Sequence, residues 1–433
     1  MLHEKRGTLP RNVIQGTKTF SARQTGEFSV MKKYGVPLCL FVLFSFYSTC
    51  AYGNVFSPAH SQPEPFNLLL KRGIEKAFNM ESKEASDLFH KAIEMDQENP
   101  TGYAFLAMAH LFFYEMSFDP KEREMNQEAM LHYVNETINR GEKRIGKNSH
   151  DDQTYFAMAL AKIAKMRWDI PQKNYVAVTS EAIDIWHYLE KAQKENPKNY
   201  DYHFLTGLLL YHLDHLQGLT RLLSFWMITS GDRKKGLREL ELVAKKGYLL
   251  QELAQAELSS AYLNFEKEPS RALPYIQELK EKYPHNYNFS FALANTLSDL
   301  HRFGEALAIA HGIENAITAG TPPFIPQLQP RFDQLMGKIY FDQGEYSRAS
   351  EYFQKSLKDQ SPYNARIRAW ALVRLGMICD ARKDRKQAVT FYTKILEMEG
   401  GEGAAQIEAK KYLKTPYTPP SNPGFSNLHK IFV

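Results

Sequence analysis

The stretch Arg331 to Pro362, RFDQLMGKIYFDQGEYSRASEYFQKSLKDQSP, constrains the fold of this chain more than any other. It reads as two amphipathic helices joined by a tight turn at Gly344. Gly337 and Tyr340 take a small and a large packing position on the first helix. Tyr346, Ala349, Phe353 and Ser356 recur every three or four residues along one face of the second. Weaker copies run along most of the chain. Gly73 with Ala85, Phe89 and Ala92 makes one, and Leu258, Tyr262, Ala272 and Ile276 another. Ala294, Leu297, Ala306 and Ala310 make a third; Leu372, Leu375, Gly376, Ala388, Tyr392 and Ile395 make a fourth. Such a hairpin cannot bury its apolar face alone, so neighbours must stack into a solenoid.

Between these copies the helical period persists but the unit lengthens. Residues 66–250 read as degenerate helical hairpins, with stops at Asn99-Pro100, Asp119-Pro120 and Asn196-Pro197, because proline cannot continue a helix. Ala129 and Tyr133 mark the second helix of one long pair. Residues 251–400 hold the regular repeats. Residues 54–65 form an exposed leader, and 401–433 a last helix end with a proline-rich tail. The segment Leu216 to Ile228 is an unusually apolar bridge, followed by Gly231-Asp232 opening the next helix, with Asp232 or Ser230 as its cap.

The small-large-small spacing resembles the tetratricopeptide repeat, a helical hairpin of about 34 residues. The resemblance implies an all-α, right-handed α–α superhelix of about eight helical hairpins, presenting a concave groove to a protein or peptide partner. On its grid the groove positions include Phe291, Asn295, Arg331, Gln334, Lys338, Trp370, Val373 and Arg374. Asn295, Arg331, Lys338 and Arg374, with Trp370 beside them, are the candidate partner-binding residues, suited to a carboxylate through charge-assisted hydrogen bonds. Carboxylate-clamp repeats pair a lysine with an asparagine four residues on, and Phe291 stands where that lysine would be. The bridge and its flank (Leu222-Leu223, Gly231-Asp232-Arg233, Gly236, Leu240) resemble a set of exported bacterial proteins of this type. They are also similar, more faintly, to the tetratricopeptide repeat protein 39 family, linked to membranes and lipid bodies. That likeness implies a peripheral membrane or partner contact through Leu222, Phe225 and Trp226.

Charge and targeting narrow the function classes. The net charge of +5 resides in residues 1–53, which hold seven basic and two acidic residues; the remainder has 47 of each sign. A balanced body has no general attraction to nucleic acid. Residues 31–53, MKKYGVPLCLFVLFSFYSTCAYG, read as a signal peptide: Lys32 and Lys33, an apolar run from Val36 to Tyr47, then Ala51-Tyr52-Gly53 before the cut. Twelve residues reach only about 18 Å, short of a bilayer core of roughly 30 Å. Residues 1–30 then precede the true start at Met31; the rival reading makes them an organelle presequence. Cys50 offers a lipid-attachment alternative. After removal of the leader only Cys379 remains, so no disulfide within the chain is available.

Sequence signs of catalysis are sparse. His203, His212 and His215 with Asp214 form the densest histidine group, and His212 and His215 share a helix face where a metal-dependent enzyme would hold its ion. No HExxH, GxxxxGK[ST] or GxSxG motif accompanies them. Asp151-Asp152 and Glu239/Glu241 read as charges on solvated faces. The expectation is a scaffold without catalytic residues or cofactor, exported to the periplasm. Protein purified from its native host should therefore show an N-terminal mass starting at Asn54. A start at Met1 would contradict export, and a lipid on Cys50 would replace secretion by tethering.

Overall fold

The computed structural model describes residues 64–215, 232–398 and 403–419, all within one compact unit. Among them the chain forms an all-α superhelical repeat fold of seventeen α-helices. In order these are α1 (Glu64–Phe78), α2 (Ser82–Met95), α3 (Pro100–Met116), α4 (Pro120–Lys147), α5 (Asp152–Asp169), α6 (Tyr175–Glu195), α7 (Tyr202–His215) and α8 (Arg233–Lys246). There follow α9 (Gln251–Ala261), α10 (Pro269–Lys282), α11 (Tyr287–Asp299), α12 (Phe303–Ala319), α13 (Gln329–Asp342), α14 (Tyr346–Ser356), α15 (Ala365–Ala381), α16 (Arg385–Leu396) and α17 (Ala404–Lys414). Consecutive helices pair into eight hairpins, and α17 covers the end of the last.

The helix boundaries follow from local chemistry. Asn99 and Asp119 precede prolines that both close one helix and open the next: each side chain accepts a hydrogen bond from the second backbone N–H onward, at 3.0 and 2.8 Å. Asp232 caps α8 through Lys235 N–H at 2.8 Å. Gly344 supplies the turn between α13 and α14 with φ +82°.

Within a hairpin, spacing is set by a complementary pair sixteen residues apart. A Cβ on Gly73 would lie 2.6 Å from the Phe89 ring, on Gly337 2.6 Å from Phe353, and on Gly376 2.4 Å from Tyr392. Where the first position carries a side chain, the residue sixteen on is smaller than an aromatic: Ser260 is followed by Ile276 and Ala294 by Ala310, all buried. In α7–α8 the same approach is made by two glycines. A Cβ on Gly236 would sit 2.6 Å from the Tyr211 amide nitrogen and 2.9 Å from the Gly207 carbonyl oxygen.

Two sequence expectations shift. The buried stripe of α4 is Asn126, Met130, Val134, Thr137 and Gly141, one position on from Ala129 and Tyr133. Asp152 is not on a solvated face: it is buried and accepts from Tyr202 Oη (2.6 Å) and Asn196 Nδ2 (2.9 Å). Glu239 and Glu241 are likewise engaged, with His203 (2.6 Å) and with Tyr262 Oη (2.8 Å).

The superhelix turns far enough for its first hairpin to meet its fifth. Lys71 Nζ donates to the Tyr248 carbonyl (2.8 Å), Asn286 Nδ2 to the Phe78 carbonyl (2.9 Å), and Lys282 Nζ lies 3.2 Å from Glu75. Asp201 fixes the turn before α9 by accepting three backbone N–H groups, from Tyr248, Leu249 and Leu250, each at 2.9 Å. At the centre of the joint lies Glu252, fully buried, with Lys71 at 3.8 Å and Lys282 at 3.5 Å. Burial pushes its carboxyl up to about 9 against the pull of both lysines. The native state therefore keeps a proton on Glu252 that the unfolded chain releases above its ordinary value of 4.5. The resulting stabilisation is full below that value and is lost as pH rises through about 9. Glu252→Gln should remove this component: its melting temperature should gain on the wild type steadily between pH 6 and 9. Parallel profiles for the two proteins would show that Glu252 is ionised in the folded chain.

Candidate functional site

The turn of the superhelix lines a half-open cavity of about 1060 Å³ on its concave side, just above the usual size range of ligand pockets. Its wall is built from α3, α4, α5, α9, α10, α11, α13 and α15 and the turns beside them. The second hairpin closes it by reaching across to later repeats. The Phe118 ring lies edge-on to Tyr363 at 6.2 Å, and the Arg123 guanidinium stacks between the rings of Tyr114 (3.9 Å) and Tyr363 (4.8 Å). Asn288 Nδ2 sits 3.1 Å from the Met116 sulfur.

All five candidate partner-binding residues, Asn295, Arg331, Lys338, Trp370 and Arg374, line this cavity, together with Phe291 and Gln334. Val373 does not: it is buried in the apolar core of the last helices, because it falls on the side of α15 facing α17. Asn295 and Lys338 are already engaged. Asn295 Nδ2 donates to the Phe291 carbonyl at 2.8 Å. The Lys338 ammonium, 8% exposed, pairs with Asp299 at 2.6 Å and Asp342 at 2.7 Å.

Arg331 and Arg374 differ. Arg331 donates to Asn288 Oδ1 at 2.6 Å and lies over the Phe291 ring at 4.3 Å; Arg374 lies 5.5 Å from the centre of the Trp370 ring. Neither forms an ion pair with a carboxylate of the described residues. Each is surrounded by protein yet keeps part of its surface open to the cavity, as a concave wall allows. That crowding pushes Arg331 down to about 10 and lowers Arg374 as well, the latter countered by Asp342 and Asp299. The ring at Phe291 thus carries a guanidinium from the next repeat, where a carboxylate clamp would carry a lysine.

Further wall residues had no repeat-grid signal. Arg167, its side chain 4% exposed, reaches both Glu115 oxygens at 2.7 and 2.8 Å. Burial raises the Glu115 carboxyl although Arg167 opposes it. Arg366, Trp370 and Arg374 repeat every four residues on one face of α15. The wall carries seven basic residues (Arg123, Arg167, Lys267, Arg331, Lys338, Arg366 and Arg374) and two acidic ones (Glu115 and Asp299). A body whose charges balance outside residues 1–53 therefore concentrates a net +5 around its cavity.

The remaining candidates lie elsewhere. Leu222, Phe225 and Trp226 fall outside the described residues, as does most of the bridge Leu216 to Ile228. Among the described residues no helix is long and apolar enough to cross a membrane. His203 and His212 do not converge: His203 Nδ1 meets Glu239 on α8 at 2.6 Å, and His212 Nε2 meets Glu257 on α9 at 2.6 Å. No group of three or more metal-ligating side chains forms among the described residues, and the His215 side chain is outside them.

The tetratricopeptide repeat family model matches residues 334–358, the α13–α14 hairpin. That hairpin is therefore a tetratricopeptide repeat, and it shares its small-against-large crossing with the first and last hairpins. Among solved structures the chain is similar to a thermophilic tetratricopeptide-repeat protein from Thermus thermophilus, at 18% identity over 54% of this chain and 98% of that one, TM-score 0.33. It is also similar to human IFIT1, solved as a dimer with m7Gppp-AAAA, at 15% identity over 82% and 86% of the two chains, TM-score 0.42. Yeast Tom70 matches at 10% identity over 81% and 95%, TM-score 0.27. What those proteins bind is not carried over to this chain. A search of curated proteins gives no match, and nothing in these comparisons supports the likeness to the tetratricopeptide repeat protein 39 family.

Proposed function

We propose that this chain is a non-catalytic binding scaffold that seats an extended segment of a partner protein in its concave cavity. Repeat folds of this kind are protein-interaction scaffolds. The seat in the cavity is supported by side chains from helices of different repeats that converge on one basic wall. An extended chain advances about 3.3 Å per residue, so a short segment can touch several repeats at once. The leader at residues 31–53 supports a partner in the cell envelope, reached after export to the periplasm.

A photoreactive phenylalanine analogue placed at Trp370 tests this in the native host, with Val389, exposed and outside the cavity, as the control position. Irradiation should yield a discrete protein adduct from position 370 and none from 389. Adducts from 389 alone would move the binding surface away from the cavity and contradict the reading.

A further inference from the structure

We propose that the cavity selects an internal acidic stretch of its partner, bearing several side-chain carboxylates, with Arg331 and Arg374 as the anchoring pair. This rests on the scaffold reading and names the chemistry of the segment that fills the site.

Charge is the first ground. Of the two acidic residues on the wall, Glu115 is occupied by Arg167 and Asp299 by Lys338. Arg331 and Arg374 are left facing the cavity without an ion-paired carboxylate among the described residues. A crowded guanidinium without an anion is costly to keep, and a planar carboxylate received by its two parallel N–H groups offsets that cost. The lowered position of both groups fits sites awaiting an anion.

Distribution is the second. The cationic groups do not gather at one spot. They come from α4, α5, the turn after α9, α13 and α15, on all sides of the cavity. One terminal carboxylate would answer one of them. A segment with acidic side chains every two or three residues meets several, and its neutral residues lie against the apolar parts of the wall.

The aromatic residues decide between a peptide and a single-stranded nucleic acid, which a basic, ring-lined wall also suits in principle. Base stacking requires open ring faces. Here Phe291 lies under Arg331, Tyr114 and Tyr363 sandwich Arg123, and Tyr114 also meets the Trp168 edge at 5.1 Å. The rings hold the guanidinium groups in place, and these groups then present their N–H donors to carboxylates.

The test uses full-length protein purified from its host and fluorescent peptide libraries capped at both ends, with Asp or Glu at alternate positions in one and Asn or Gln in the other. Anisotropy should show at least tenfold tighter binding of the acidic library. That binding should weaken as salt rises, and by roughly tenfold in Arg331→Gln and in Arg374→Gln, about the strength of one charge-assisted hydrogen bond. Circular dichroism checks that the variants fold. Should either glutamine variant unfold, Arg374→Lys, which keeps the charge and loses the fork, should still lower affinity, and the salt dependence of the wild type stands independently. Equal binding of both libraries would overturn acidic selection and leave the scaffold reading intact. Binding only to acidic peptides with a free C-terminus would overturn the internal segment in favour of a terminal clamp. Tighter binding of a single-stranded oligonucleotide would overturn the peptide. Failure of every peptide while position 370 still crosslinks in the host would overturn this proposal alone. Failure of both would take the scaffold reading with it.

Discussion

The close approach of two helices at one small residue is the contact on which the rest of the structure depends. At Gly337 the backbone of α13 lies against the Phe353 ring with no room for a methyl group, and the same holds at Gly73 and Gly376. A Cβ less than 3 Å from a buried ring forces helices apart or side chains off their rotamers, at a cost of about 1–3 kcal/mol. Elsewhere the same sixteen-residue offset carries Ser260 and Ile276, or Ala294 and Ala310, all buried, so the pair's summed bulk stays within bounds as its chemistry varies. Packing at interior density makes each hairpin a rigid wedge. Stacked wedges with a small rotation between them generate curvature, and accumulated curvature brings the first hairpin to the fifth.

That closure turns an open groove into a walled cavity. The contacts that make it are both polar and aromatic: Lys71 with Glu252, Lys282 with Glu75, Asn286 with the Phe78 carbonyl, the Phe78 ring against Tyr283, and Arg123 between two tyrosines. Burial between the two lysines keeps the Glu252 carboxyl protonated in the folded chain, so this contact is not a strong ion pair. Glu252 lies where α1 meets α9 and α10, at the joint between the first and fifth hairpins. Function follows from where the charge then falls. A chain whose charges balance outside residues 1–53 places seven cations and two anions around one space, and Arg331 and Arg374 among them form no ion pair with a carboxylate of the described residues.

Much of the hairpin architecture is legible in the sequence because it is local. Glycine, alanine and aromatic residues at three-, four- and sixteen-residue offsets report a packing made within about 34 residues. The stripe of α4 is harder to read: Asn126, Thr137 and Gly141 are buried through helix contact rather than hydrophobicity, so apolar periodicity points one residue early. Asp152 and Glu252 look like surface charges in the sequence, since their partners Tyr202, Lys71 and Lys282 are between thirty and 181 residues away in the chain. The repeat grid places Arg331, Lys338, Trp370 and Arg374 on the inner face, which one repeat suffices to define. It says nothing of Arg167, Glu115 or Arg123, nor that Lys338 is already paired, because those facts arise only when distant repeats meet. Val373 is misplaced for a related reason: α17 lies beyond the last repeat and buries the face that an uncapped hairpin would leave open.

The closure of the superhelix on itself, which creates the cavity, is most directly tested by small-angle X-ray scattering of the protein in dilute solution. For a compact body of the length of residues 54–433, a radius of gyration of roughly 21 Å is the globular reference, and the closed arrangement should lie within several ångströms above it. A value beyond about 30 Å, toward that of an extended chain of stacked hairpins, would mean that the first hairpin does not meet the fifth, and the basic cavity would not exist in solution.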